Sequence, residues 1–293
     1  MRSSRFEHAE AGGGPYRHAL AEAAGRLGRL ASTVLFYPTV GSTNDVAARF
    51  ACDRQEVGDS EGAVIVADEQ TAGRGRRGHV WVSPAGSGLY VSVVLTPARA
   101  QSDPRRATGL LTLAAGVAIS EGIKSAAGLA THLKWPNDIQ AGERKLAGIL
   151  AEAATDASAA APPVVLGYGI NVLACEWPAA VAQRATSIEA EIGRTVGRDR
   201  VFVESLAALA RRYDDLLAGR FDAILDAWRR RAPSATGARV RWTDRSGEHT
   251  GITAGIDDQG ALLVRAGEDV RRIVAGELRW ERGVGAAREP PRP

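Results

Sequence analysis

The sequence predicts an α+β chain in which a large domain of strands and helices is followed by a small β-barrel. Three observations carry that reading. Short apolar, β-branched runs such as Ala63–Ala67 and Leu89–Leu95 have strand length and are bounded by turn residues. Between such runs lie segments with helical spacing, the longest from Arg106 to Ala127 with Leu110, Leu113, Ala114 and Val117 on one face. The composition then changes at Pro233–Gly237, beyond which only short strands and turns follow.

A chain of 293 residues buries a full core, and 45% hydrophobic with 24% charged residues is ordinary for a globular protein. The net charge of +3 is too mild to argue for nucleic acid by itself. No apolar run of 18 residues exists, the first 15 residues lack the apolar stretch of a secretion signal, and no membrane partner is expected. Cys52 and Cys175 make neither a disulfide framework nor a metal spacing, which fits a reduced, cytoplasmic setting. Lysine occurs only at 124, 134 and 145 among 37 basic residues. A lysine surviving in so arginine-rich a chain points to a place that needs a compact ammonium, and Lys134 and Lys145 are candidates.

Taken in order, residues 1–15, with Ala11-Gly12-Gly13-Gly14-Pro15, read as a disordered lead-in, and Arg17–Leu30 as a helix. Val34–Tyr37 reads as a strand, and Gly41-Ser42-Thr43-Asn44-Asp45 opens a helix to Ala51. Ser42 or Thr43 suits either a helix cap or a grip on a polar ligand group. After Ala63–Ala67 comes Asp68 to Trp81, where Gly73, Gly75 and Gly78 alternate with Arg74, Arg76 and Arg77. Glycines let backbone approach a ligand closely, and arginine forks match phosphate or carboxylate oxygens, so this is an anion-binding loop between two strands. Leu133–Ile139 ends a strand at Pro136 and turns on Asn137-Asp138. Gln140–Arg144 is a polar hairpin leading into a strand from Lys145 to Glu152. Gly148 in that strand, and the small residues on one face of Val164–Val172, allow something to approach the backbone.

Thr155–Pro163 reads as a loop, and Ser187–Ile192, Val201–Leu217 and Phe221–Arg231 as helices. Arg239–Thr243, Thr250–Ile256, Ala261–Val264 and Arg271–Val274 are the four strands of the small barrel, and Val284–Pro293 a loose tail. The implied domains are an N-terminal extension (1–33), a catalytic domain (34–232), a C-terminal domain (236–283) and a tail (284–293).

Three pieces need a joint explanation: the Ser-Thr-Asn segment, the Arg-Gly loop, and two lysines bracketing Trp135-Pro136-Asn137-Asp138. Each has a plain reading as cap, surface charge or turn. Together they are also what phosphate handling needs. A carboxylate such as Asp138 holds magnesium, Asn137 orients phosphate or water, and lysines neutralise charge that builds up during nucleotidyl transfer.

The set closely resembles the biotin protein ligases. The segments that match are Gly41–Asn44, Gln70–Gly78, Lys134–Asp138, Arg144–Leu150 and Gly167–Asn171, in family order over about residues 35–231. The resemblance implies a mixed β-sheet with helices, the catalytic fold shared with class II aminoacyl-tRNA synthetases, and a C-terminal SH3-like barrel. It implies that biotin's carboxylate attacks the α-phosphate of ATP to give biotinyl-5'-AMP. A lysine of a biotin carboxyl carrier protein domain, from acetyl-CoA or a related carboxylase, then takes the acyl group. Biotin would contact Ser42, Thr43, Asn44, Gln70, Arg74, Gly75, Arg76, Lys145 and Gly148. ATP would contact Arg76, Lys134, Asn137, Asp138 and Asn171, with Mg2+ on Asp138. Lys145, Arg76 and Arg74 would carry the catalysis.

His79 departs from the basic arginine often found there in the family. Regulatory members carry a helix-turn-helix domain ahead of the Ser-Thr-Asn segment, for which about 40 residues leave no room. A ligase without repressor activity or DNA partner, monomeric or weakly dimeric, is therefore expected. Lipoate–protein ligases share the chemistry, but their Arg-Arg…Ser-Gly-Gly-Gly…Tyr-His-Asp loop is absent. An arginine-rich nucleic-acid-binding regulator is the other alternative, and only 5% aromatic residues, none within the basic loop, argue against it.

Overall fold

The computed structural model describes residues 9–55, 60–154, 162–244, 247–274 and 278–281. Eight strands form the main sheet: β1 (Glu10–Ala11), β2 (Val34–Val40), β3 (Val64–Gln70), β4 (Gly88–Leu95), β5 (His132–Lys134), β6 (Asp138–Ala141), β7 (Arg144–Ala153) and β8 (Val164–Asn171). Their order is β1-β2-β3-β4-β8-β7-β6-β5. β2 and β3 run parallel, and the other neighbouring pairs are antiparallel. A parallel pair needs a crossover, and helix α2 (Thr43–Gln55) supplies it.

β4 sits mid-sheet and is buried along its whole length, because both faces are covered. One face carries α1 (Arg17–Leu27), α3 (Pro104–Ala127), α6 (Arg198–Leu217) and α7 (Phe221–Arg229) over the larger core. The short helices α4 (Ala179–Ala182) and α5 (Ile188–Ile192) connect β8 to α6. Among the described residues the other face carries α2 alone, whose Val46, Ala47, Phe50 and Ala51 pack on Tyr37, Ile65, Val94 and Val165. That lone helix leaves the far half of the face open, and the cleft described below lies there.

α3 starts two residues before the expected Arg106, where capping chemistry sets its first turn. Asp103 accepts the amide of Arg106 at 2.9 Å, Pro104 takes the first turn, and Gly128 closes the helix at φ 76°. By length and composition α3 is able to cross a membrane, but here it is a core helix packed against α6. Gly122 lets α6 come close: a Cβ there would lie 2.6 Å from the Ser205 Cα.

Beyond Pro233 lie β9 (Thr236–Asp244), β10 (Gly247–Ile256), β11 (Leu262–Ala266), β12 (Asp269–Ile273) and β13 (Leu278–Trp280). They form one antiparallel sheet in the order β12-β11-β10-β9-β13. The fifth strand is an addition to the four expected; with three residues it has no legible alternation. Register shifts after Ile252 and Thr253 bend β10, yet β12 and β13 do not pair among the described residues, so the sheet is curved rather than shown closed.

This sheet is seated on the larger core. Trp135 donates its indole N–H to the Gly260 carbonyl at 3.0 Å, and Arg106 Nε bonds the Asp258 carbonyl at 2.9 Å. Ile256, Leu262, Val264 and Ile273 join the same buried cluster as Leu110 and Leu113.

The expected disordered lead-in needs correcting for residues 9–15; residues 1–8 lie outside the described part, as do the tail from 282 and most of the Thr155–Pro163 loop. Glu10–Ala11 pairs with Leu35–Phe36, and Gly12 N–H bonds the Val34 carbonyl at 3.0 Å. The glycines that suggested disorder serve close approach instead. Gly13 and Gly14 have φ of 87° and 52°, and a Cβ at either would overlap Leu20 or the Phe36 ring. Deleting residues 1–15 is accordingly expected to remove about 1–2 kcal/mol of stability through these edge-strand bonds. Calorimetry should show a Tm lower by roughly 2–6 °C, while the circular dichroism spectrum stays native.

Candidate active site

The floor of the cleft is made by the absence of side chains. Gly148 on β7 and Gly169 on β8 are cross-strand partners, and Gly167 lies one step along the same face. A Cβ on Gly148 would lie 3.0 Å from the Trp81 ring and 3.2 Å from Lys145 Cε. One on Gly169 would overlap the Trp81 indole, and one on Gly167 the Asn44 carboxamide. The small-residue face legible in the sequence therefore admits the protein's own side chains first, and these become the cleft's inner surface. The Trp81 indole N–H is buried with no hydrogen-bond partner.

At one end the start of α2 meets β3, β4 and β7. Ser42, Thr43 and Asn44 are 3, 3 and 6% exposed, so they are not surface caps. Gln70 Oε1 accepts both the Thr43 amide (2.9 Å) and the Thr43 hydroxyl (3.0 Å), and so it is Gln70 that caps the helix start. Gln70 Nε2 donates to Ser83 Oγ at 3.0 Å, tying the cap to the far end of the loop. Ser92 Oγ, wholly buried on β4, lies 2.8 Å from Thr43 Oγ1 and 2.6 Å from Asn44 Oδ1. Asn44 Nδ2 donates to Glu152 at 2.7 Å. The groups of this network that face the cleft are neutral hydroxyls and carboxamides, of the kind that orient a small polar ligand, and its one carboxylate, Glu152, lies behind them.

The Arg-Gly loop is a closed hairpin over that floor. Trp81 N–H bonds the Gly73 carbonyl at 2.9 Å and Gly75 N–H the His79 carbonyl at 2.7 Å. A single 3-10 turn, Arg76–Gly78, makes the tip, with Arg77 left-handed at φ 56°. Arg74 is gripped by Asp45 at 2.7 Å and Glu152 at 3.2 Å. Arg76 is not. Burial, reinforced by neighbouring Arg77, works against its charge, and Asp138 offsets this only in part.

Opposite the loop, Lys145 Nζ lies 2.6 Å from Asp138 and 5.3 Å from the Trp81 ring centroid. Lys134 is held below the usual lysine range chiefly by burial; Asp138 opposes this and Lys145 adds to it. Its ammonium sits 5.3 Å from the ring centre of Trp280, which reaches in from β13. Asn137 Nδ2 donates to the Ile149 carbonyl at 2.7 Å and so holds β7 in place.

These groups line a cleft of about 270 Å³, near the small end of ligand-site volumes, with Asp138 the lone acidic lining residue among the described residues. Among the described residues no cluster of three acidic, His or Cys side chains exists to cage a metal. One carboxylate suits a Mg2+ ion that arrives with nucleotide phosphates and keeps most of its waters.

The structure thus gathers Ser42, Thr43, Asn44, Gln70, Arg74, Gly75, Arg76, Lys134, Asn137, Asp138, Lys145 and Gly148 around one cleft. Asn171 stands apart. It shares a face with Gly169, but it is 4% exposed and donates to the Thr186 carbonyl at 2.9 Å. It thereby fixes the segment whose Thr186 N–H bonds the Lys145 carbonyl. The sequence reading missed Trp81, Ser92, Glu152 and Trp280. Ser92 carries a signal, a hydroxyl inside an otherwise apolar strand, and Trp81 ends the glycine loop; nothing local marks Trp280.

Residues 41–171 match the Biotin/lipoate A/B protein ligase family, and residues 236–277 the Biotin protein ligase C terminal domain. The chain is 37% identical over 245 residues to the Biotin--[acetyl-CoA-carboxylase] ligase of Mycobacterium tuberculosis, covering 81% of this chain and 85% of that protein. It is 34% identical over 247 residues to the Bifunctional ligase/repressor BirA of Bacillus subtilis, covering 84% and 73%. Among solved structures, the biotin protein ligase from Aquifex aeolicus in complex with biotin and ATP superimposes with a TM-score of 0.70 at 28% identity. The match covers 85% of this chain and 99% of that one. With both domain signatures, the catalytic fold and the gathered cleft in agreement, this chain belongs to the biotin protein ligase family.

Proposed function

We propose that the chain activates biotin as biotinyl-5'-AMP and passes the biotinyl group to one lysine of a biotin carboxyl carrier protein domain of acetyl-CoA or a related carboxylase. The observation that carries this reading is the polarity of the cleft. Its Ser42–Gln70 end is neutral and hydrogen-bonding, while its other end collects Arg76, Lys134 and Lys145 around a single carboxylate. The neutral end suits a ureido ring and the cationic end suits two mutually repelling anions, a carboxylate and a triphosphate. The carboxylate oxygen attacks the α-phosphorus and pyrophosphate leaves. The carrier's ε-amine then attacks the acyl carbon, forming an amide and releasing AMP. Positioning and charge neutralisation drive the first step, and no protein nucleophile is required. Magnesium, held by Asp138 and the phosphates, would share the neutralisation.

Incubation with ATP, magnesium, biotin and a carrier domain should add one biotinyl mass to one carrier lysine. No mass increase, or preferential transfer of lipoate when both acids compete, would sink the reading. We infer also that the chain does not act as a repressor. Its described N-terminal elements are an edge strand and one helix whose Leu20, Ala23 and Leu27 pack into the core, without the second helix that a helix-turn-helix reader pairs with the first. A DNA mobility shift that depends on biotin and ATP would contradict this. A cytoplasmic setting is in keeping with Cys52 and Cys175 both being free thiols.

The loop's second expected task is retention. Arg76→Gly removes a guanidinium fork and adds backbone freedom, so the mutant should still form adenylate but hold it roughly ten- to a hundred-fold more loosely. Escaped mixed anhydride then labels lysines of an inert bystander protein, read by mass spectrometry. Wild-type selectivity in a mutant that still turns over ATP would show that Arg76 does not retain the intermediate.

A further inference from the structure

We propose that Glu152 is a positioning residue for the biotin half of the cleft, acting through Asn44 and Arg74; this rests on the biotin-ligase reading of that cleft. Glu152 lies on β7 on the same face as Gly148 and beyond the ligand-lining stretch. One of its oxygens, Oε2, accepts from Asn44 Nδ2 at 2.7 Å and from Arg74 Nη2 at 3.2 Å. A single carboxylate thus ties the floor of the cleft to the loop that covers it.

The first contact fixes a chemical choice. A carboxamide has a donor end and an acceptor end of nearly equal shape, and an ionised carboxylate only accepts. Glu152 therefore turns the Asn44 amino group toward itself and the Asn44 carbonyl toward the Ser92 hydroxyl, 2.6 Å away, over Gly167. What Asn44 has left to offer a ligand is its second N–H, a donor that suits a carbonyl oxygen. With the carboxamide reversed, the cleft would present an acceptor there instead.

The second contact divides the loop's arginines. Arg74 spends Nη1 on Asp45 and Nη2 on Glu152, and these pairs join the loop to α2 and β7. The Arg76 guanidinium, two residues on, has no hydrogen-bonded or ion-paired partner among the described residues. The structure assigns anchoring to Arg74 and leaves anion contact to Arg76. The side chains of Arg74, Asp45 and Glu152 are 39, 52 and 40% exposed, so the ion pairs contribute little to global stability. Their effect is to preorder the loop and the Asn44 amide before ligand arrives.

The test is steady-state pyrophosphate release with Glu152→Gln, Glu152→Ala and Asp45→Asn, beside tryptic cleavage of the ligand-free loop at Arg76 and Arg77. Both Glu152 variants should raise biotin KM, Glu152→Ala by roughly three- to ten-fold, while ATP KM and Tm stay near wild type. Both should also speed cleavage of the loop. Asp45→Asn, which touches Arg74 alone, should speed cleavage with a smaller change in biotin KM. Unchanged loop cleavage in Glu152→Ala overturns the proposal, and so does a lower Tm with both KM values unaltered, the mark of a merely structural role. Absence of biotin-dependent pyrophosphate release from the wild-type protein would instead remove the biotin-ligase reading, and the loop cleavage rates would still judge Glu152.

Discussion

Lys145→Ala is expected to slow biotin-dependent pyrophosphate release roughly ten- to a hundred-fold, the worth of one charge-assisted contact made in the transition state. The fold should survive, because the Lys145 side chain is 35% exposed and its neighbours are a carboxylate and an aromatic face rather than core. The substitution also leaves Asp138 without its cation inside a site that must take up a triphosphate. The loss therefore compounds: one neutralising charge fewer, and one repelling charge uncovered. Lys145→Arg keeps the charge but spreads it over a broad plane above Gly148, where a Cβ alone would meet Lys145 Cε at 3.2 Å. It should recover only part of the rate. Near-normal pyrophosphate release from folded Lys145→Ala would show that the lysine is there only to hold Asp138.

Gly169→Val is expected to abolish biotin binding in calorimetry, with a loss of more than roughly a hundred-fold, while the circular dichroism spectrum stays native. Valine suits a strand, so β8 itself has no objection to it. The obstacle is specific: the added Cβ occupies the place of the Trp81 indole, which also lies against Gly148. Trp81 must leave, and it takes with it the end of the loop, fastened through the Gly73 carbonyl. Overpacking of this kind costs about 1–3 kcal/mol where a neighbour yields, and here the yielding neighbour is the wall of the site. The double variant Gly169→Val with Trp81→Ala should regain any lost Tm without regaining biotin binding. Wild-type biotin affinity in Gly169→Val would mean that Trp81 has no part in forming the site.

Much of the architecture could be read before any coordinates because each signal was local. The apolar face read over Arg106–Ala127 is α3, which the Asp103 cap and Pro104 begin two residues earlier, and the strand-length runs at Ala63–Ala67 and Leu89–Leu95 are the central strands β3 and β4. The mixed order of the sheet followed from the family resemblance. The lead-in was misjudged for the opposite reason. Three consecutive glycines look like flexibility until Phe36 and Leu20, distant in the chain, are seen to fill the space their side chains would need. The floor glycines were noticed as a face that something approaches, but what approaches comes from another segment, so neither Trp81 nor Asn44 was assigned to them. Glu152 and Trp280 escaped notice because their partners, Arg74 with Asn44 and Lys134, lie far away in sequence.

The seating of the C-terminal sheet has a consequence for how the molecule comes apart. The change of composition near Pro233 looks like a hinge between separable modules, yet Ile256 and Leu262 share buried contacts with the large core, and Trp135 is bonded to Gly260. Removing the last sheet would strip Leu110 and Leu113 of cover and leave an indole N–H without its acceptor. Heat should therefore meet two sheets but a single cooperative unit, melting in one calorimetric transition whose enthalpy belongs to the whole chain.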